Sequence, residues 1–154
     1  VLAQTPNAQF WIMGQGPLRD ELEQTARAGG FLNQIRFAGF RRDACDVMNA
    51  IDVMALPWHR EPCALAYIEA ALLAKPIVAC RAGGAPESIA DGETGILAPV
   101  GDSRAIGEAI LALLENRDFA HSMGQAGHER AREVFSWSRF ITTLEGVWER
   151  VLSS

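Results

Sequence analysis

Cysteine is scarce in this 154-residue chain: there are three, Cys45, Cys63 and Cys80. The odd count and the lack of any C-x-x-C pair exclude a disulfide scaffold and the common zinc sites. A reducing, cytoplasmic setting fits such cysteines best. Long hydrophobic runs are also missing. The longest apolar tract, Ala64–Ala74, is interrupted by Glu69, so no segment reaches the roughly 18 apolar residues of a membrane span. Positive charge is in short supply. Fourteen Lys and Arg stand against nineteen Asp and Glu, a net charge of −5, which excludes bulk electrostatic binding to nucleic acid or anionic membrane. Only one lysine, Lys75, occurs. No Met begins the chain and no basic-then-apolar leader follows Val1, so the sequence reads as a piece of a longer protein. What remains is 49% hydrophobic and 21% charged, the composition of one ordinary globular domain, with no sign of disorder.

The apolar pattern alternates between strand and helix. Gln9–Met13 is a β-prone run stopped by Gly14-Gln15-Gly16-Pro17, and Leu18, Leu22 and Ala26 then recur at helical spacing. Ile35 and Phe37 lie in a second strand closed by Gly39. Ala44, Val47, Met48 and Ile51 mark a short helix. A third strand, Val53–Leu56, stops at Pro57. The spacing predicts a helix over Cys63–Ala74, a strand at Ile77–Cys80, at most a helical turn at Glu87–Ala90, and a strand at Gly95–Ala98. Three helices close the chain. The first is capped by Asp102, the second runs from about Asp118 to Val134, and Ser136 caps a third whose Trp137, Phe140, Ile141, Leu144, Val147, Trp148 and Val151 share one face. Strands alternating with helices imply an α/β fold, a Rossmann-like doubly wound parallel sheet over residues 1–154. Ligands of such sheets bind beyond the carboxyl ends of the strands.

Two carboxylates stand out there. Glu61 follows the third strand, and Glu69 sits inside a helix that is apolar on nearly every side, which predicts a buried helix. A buried carboxylate costs several kcal/mol unless a partner compensates. No Lys or Arg lies within the helix, so the partner is distant in sequence or is a ligand. From Cys63 to Glu69 the helix rises about 9 Å. Two acids at that separation suit the two ends of one elongated ligand, with an anion held between them by free N–H groups around Ala64–Ala66. A helix-capping Glu and a core ion pair explain the same residues without a ligand.

With seven residues between the two glutamates, followed by Ala70-Ala-Leu-Leu-Ala-Lys-Pro-Ile-Val-Ala79, this segment resembles the nucleotide-sugar motif of glycosyltransferase family 4. Other landmarks agree in order: Gly14-Gln-Gly-Pro17, Arg36-Phe-Ala-Gly-Phe40, Asp52-Val-Met-Ala-Leu-Pro57, Gly83-Gly-Ala-Pro-Glu87, Asp91-Gly-Glu-Thr-Gly95 and Phe135-Ser-Trp137. The resemblance runs from about Gln9 to Leu152. It implies the C-terminal, donor-binding half of a GT-B enzyme that transfers a sugar from a nucleoside diphosphate sugar with retention and without a metal or other cofactor. Glu61 would be catalytic, contacting the sugar hydroxyls. Glu69 would accept from the ribose hydroxyls. Amides of Cys63, Ala64, Leu65 and Ala66 would meet the diphosphate. The backbone of Gly39, Phe40 and Arg41 would flank the base, and Gly83 and Gly84 would border the sugar.

The chain departs from the family at Cys63-Ala64, where Phe-Gly is frequent, and at Trp58, where Ser is frequent. The family's first strand, with its phosphate-binding Gly-Arg and Lys-Gly segment, and its acceptor-binding N-terminal domain would precede this sequence. Lys75 comes just before a strand, at the wrong edge for the donor. The resemblance therefore implies a parent enzyme whose partners are the nucleotide sugar and its own N-terminal domain. It leaves room for peripheral membrane association of the parent and a strand-swapped oligomer of the fragment, the fragment alone being inactive. A non-catalytic nucleotide-sugar-binding module and a GT-B epimerase are the alternative readings. Weaker signals have bland explanations. Gly14-x-Gly16 lacks a third glycine, since Arg19 stands there. His59 has no sequence partner for base catalysis. His121 and His128 fall on a polar helix and read as solvated, and Arg41-Arg42 reads equally as an anion contact or a solvated pair. Cys63, at a helix start, is either a reactive thiol or inert core.

Overall fold

Residues 1–58 and 65–153 are described in a computed structural model of the chain. They divide into two compact units, Val1–Val47 and Met48–Ser154.

The first unit is built on two parallel strands, β1 (Phe10–Met13) and β2 (Ile35–Gly39). Phe10 pairs with Ile35 and Ile12 with Phe37, and the register slips between Ile12 and Met13. The connection is α1 (Arg19–Ala28), whose Arg27 near the last turn and Asp20 and Glu21 in the first suit the helix dipole. Of its apolar stripe only Ala26 is buried, while Leu18 and Leu22 are exposed. Arg19 joins α1 to β2: its Nη2 donates to the Phe37 carbonyl at 3.3 Å and its guanidinium lies over the Phe37 ring.

The boundary between the units falls inside α2 (Ala44–Ala50). The second unit holds a parallel sheet in the order β3 (Met54–Leu56), β4 (Ile77–Cys80), β5 (Gly95–Ala98). β4 is hydrogen-bonded on both sides and all four of its residues are buried. Side chains alternate between faces along a strand, so four successive buried residues mean that both faces are covered. The covers are α3 (Leu65–Leu72), which packs on β4, on the short α4 (Ala85–Ser88) and on α6 (Arg117–Val134), and α5 (Ser103–Glu115), which packs on β4, β5 and α6. Tyr67, Ile77, Val78, Ile89, Leu113 and Met123 are the large side chains at the centre of this core.

Helix starts follow capping chemistry. The Asp102 side chain accepts from the Ala105 N–H at 2.9 Å, as its position ahead of α5 leads one to expect. Asn116 accepts from the Phe119 N–H at 3.0 Å and starts α6 one residue before the sequence reading. Ser136 caps α7 (Trp137–Leu152). The apolar face of α7 is present, but none of its residues is buried: Trp137, Phe140, Trp148, Val151 and Leu152 are exposed. No helix among the described residues is long and apolar enough to cross a membrane. Among the described residues β1 pairs with β2 alone and β3 with β4 alone.

Candidate functional site

In the second unit the ends of β3 and β4 stand side by side, Leu56 pairing with Ala79. The segment after β3 and the loop after β4 therefore leave the sheet at the same carboxyl edge, where an α/β sheet receives its ligand. Tyr67 ties the helix that follows to this edge. Its ring is fully buried, and its hydroxyl donates to the carbonyl of Leu56, the last residue of β3, at 3.4 Å. His128, read from sequence as solvated, instead donates its Nδ1–H to the Leu72 carbonyl at 2.8 Å, so α6 satisfies an open carbonyl at the end of α3.

The burial expected for α3 is only half right. Tyr67, Ala70 and Ala71 face the core, while Leu65, Glu69 and Leu72 are exposed. Glu69 is thus an accessible carboxylate on the outer face, with water to solvate it, and needs no internal cation. An eight-residue helix made almost entirely of apolar residues carries no polar stripe to mark that face. Leu65 and Ala66 form its first turn. Glu61, Cys63 and Ala64, like His59, lie outside the described residues.

Beyond β4 the chain turns at Gly83, whose φ of 55° is left-handed and disfavours any side chain, and Gly84 then begins α4, with Pro86 in its first turn. Two arginines fix this loop from outside. The Arg130 Nη2 donates to the Glu87 carbonyl at 3.0 Å, reaching from α6. Arg81 pairs with Asp91, whose other oxygen accepts from the Leu97 N–H at 2.8 Å. Burial pushes the Asp91 carboxyl up, but the Leu97 N–H, the Arg81 guanidinium and the Gly92 N–H outweigh it and hold the carboxyl below its ordinary range. None of Tyr67, Arg130 or Arg81 was singled out from sequence. The Asp91-Gly-Glu-Thr-Gly95 run was a signal for Asp91, read there only as a turn and landmark.

In the first unit Gly39, Phe40 and Arg41 stand at the carboxyl end of β2. Gly39 is left-handed at φ 68°, and its carbonyl accepts from the Gly14 N–H at 2.8 Å, which binds the two glycine turns together. Phe40 is exposed. Arg41 is held by Asp43 through two hydrogen bonds, one from Nε at 2.8 Å. The bonded Arg41 holds the Asp43 carboxyl below its usual range, and the guanidinium is raised in turn. Leu65 and Ala66 thus begin the helix that follows β3, Glu69 lies on its exposed face, Gly83 and Gly84 lie in the loop after β4, and Gly39–Arg41 lie at the carboxyl end of β2.

A family model described as glycosyl transferases group 1 matches residues 1–116. A lipopolysaccharide core biosynthesis glycosyltransferase, LpsE of Rhizobium meliloti, is 28% identical over 135 residues, covering 88% of this chain and 40% of that protein. A phosphatidyl-myo-inositol mannosyltransferase of Mycobacterium leprae is 33% identical over 151 residues, 96% of this chain and 39% of that one. The structure of Anabaena Alr3699/HepE in complex with UDP-glucose matches with a TM-score of 0.83 at 28% identity, over 97% of this chain and 42% of that one. The chain thus spans about two-fifths of the length of these relatives.

Proposed function

Since the chain belongs to the group 1 glycosyl transferases, we propose that it is the donor-binding part of an enzyme that moves a sugar from a nucleoside diphosphate sugar to an acceptor, retaining the anomeric configuration and using no divalent metal. The observation that carries this reading is the likeness, across 97% of the chain, to a structure complexed with UDP-glucose. The accessible Glu69 carboxylate of α3 supports it, because a solvent-facing acid is free to accept from two neighbouring hydroxyls of a ribose. The α3 amides at Leu65 and Ala66 stand at a helix start, where the dipole and free N–H groups favour a diphosphate. Glu61 takes the sugar hydroxyls in this reading and acts at the reacting end. Gly83 and Gly84 leave room for the sugar in this reading.

The acids at the two ends of the donor have separable effects. Glu69→Ala removes a contact made equally in the ground and transition states and raises KM by about tenfold, the worth of a hydrogen bond to a charged group. Glu61→Ala lowers kcat by about a hundredfold, since a contact that strengthens as charge develops raises kcat. Initial rates of the intact protein with nucleotide sugars in EDTA, with the product anomer assigned by NMR, test all of this. Strict dependence on a divalent ion or an inverted product overturns the mechanism. Equal, trivial effects of both substitutions return the two glutamates to structural roles.

A further inference from the structure

At the opposite, amino edge of the β3–β4–β5 sheet lies a cavity of about 240 Å³. Its floor is apolar, with Pro76 and Leu113. Its rim carries Lys75, Arg117 and His121 against a single carboxylate, Asp52. In a chain with five more acids than bases, this rim is net positive and holds the only lysine. None of the four side chains is engaged in an ion pair or a hydrogen bond among the described residues. Some arginines elsewhere are paired, as at Arg19–Glu23, Arg81–Asp91 and Arg104–Glu108. Three donors left open around one hollow are what an anion requires.

The wall is also held in place before any ligand arrives. Ala74 is left-handed at φ 54°, a conformation that a residue with a Cβ adopts at a cost. Its carbonyl lies so close to Gly124 of α6 that an added Cβ there would sit 2.1 Å from the oxygen. The Pro76 carbonyl accepts from the Met54 N–H at 3.0 Å. The backbone carrying Lys75 is thereby clamped between β3 and α6, and Arg117 and His121 are one turn apart at the start of α6. Such preorganisation lowers the cost of binding.

We propose that this amino-edge cavity binds a phosphate group, free or as the monoester of a small polar molecule, through Lys75, Arg117 and His121. A tetrahedral dianion matches two cations and an imidazole N–H better than a monocarboxylate does, and Arg is suited to grip two of its oxygens. The volume equals that of about eight waters, which leaves space beside the phosphate for a small polyol. The site stands on the edge of the sheet away from the donor, so it is independent of the transferase reading.

Calorimetric titration of the intact protein with sodium phosphate and with glycerol 3-phosphate, at constant ionic strength, tests the proposal. His121 imidazole shifts are followed in parallel by NMR. Saturable binding is expected, weakened about tenfold by Arg117→Gln and again by Lys75→Gln. Arg104→Gln, an exposed cation outside the cavity, leaves it unchanged. Tighter binding of the ester identifies a metabolite as the source, and equal binding identifies free phosphate; either supports the site. Arg117 is exposed, so its variant keeps the fold. Absence of saturable binding overturns the proposal. So does binding that survives both substitutions or is displaced by a nucleotide sugar, because the phosphate then sits elsewhere.

Discussion

β1 and β4 are both four-residue parallel strands of apolar residues, Phe-Trp-Ile-Met and Ile-Val-Ala-Cys, yet they end in different environments. β4 has a hydrogen-bonded neighbour on each side and is covered on both faces, and no residue in it is more than 3% exposed. Among the described residues β1 has one neighbour, and its Trp11 and Ile12 are 42% and 37% exposed. Apolar character alone does not distinguish them. What differs is how many layers surround each strand, which depends on α3, α5 and α6 arriving from later in the chain. Trp11 is sheltered in part by Arg36, whose guanidinium lies 4.9 Å from the ring centre, a polar cover that an interior strand would not tolerate.

The sharpest test of this difference removes the same atoms from each strand. Ile77→Ala is expected to cost about 3 kcal/mol, as for other large-to-small changes in a packed core. Ile12→Ala is expected to cost under about 1 kcal/mol, because much of that side chain already meets water. Amide hydrogen exchange resolves the two units residue by residue: Ile77→Ala lowers protection throughout β4, and Ile12→Ala leaves β4 untouched. Similar losses from both would mean that β1 is buried as deeply as β4.

A smaller effect is expected at the end of β2. Gly39→Ala forces a side chain into a left-handed conformation, for about 1 kcal/mol. An added Cβ would approach only the Arg19 Nη1 at 3.7 Å, so conformation and not collision sets the cost. Protection should fall in β1 and β2 and stay constant in β4. Loss across both sheets would show that the units do not respond separately.

The smallest effect is a pH dependence, and it again separates the two regions. Asp91 and Asp43 each pair with an arginine, but only Asp91 also receives a backbone N–H from a neighbouring strand, at Leu97. The folded Asp91 carboxyl sits below the 3.8 of an unperturbed one. Its contribution is therefore complete above pH 3.8 and lost as the pH falls through the lower folded value. Asp91→Asn should flatten this acid limb of the stability profile. Asp43→Asn, at an exposed pair, should change it less. A larger effect at Asp43 would contradict the reading.

Much of the second unit was legible in the sequence. β4 and β5 fall on the residues expected, because each is a short apolar run with turn residues at both ends. The Asp102 and Ser136 caps are also where the side-chain chemistry puts them. The Asn116 cap was missed because Arg117 and Asp118 give no apolar onset to mark the helix start. Glu69 was placed in the core because neighbouring alanines and leucines look alike from every side. Its exposure depends on Tyr67, Ala70 and Ala71 choosing the inner face. Arg130 and His128 reach partners 43 and 56 residues away, a separation that no local pattern encodes. At the candidate site the ends of β2, β3 and β4 are strand ends in the structure as the landmarks predict, while the residues that brace them needed the fold.

The proposed function requires that α3 and its surroundings hold a nucleoside diphosphate sugar through Glu69. Calorimetric titration of the intact protein, in EDTA, with a panel of nucleoside diphosphate sugars addresses it directly. Saturable binding of at least one donor by the unaltered protein is expected, with binding weaker by about tenfold in Glu69→Ala. A panel in which none binds, or a Glu69→Ala protein that binds as tightly as the original, would contradict it.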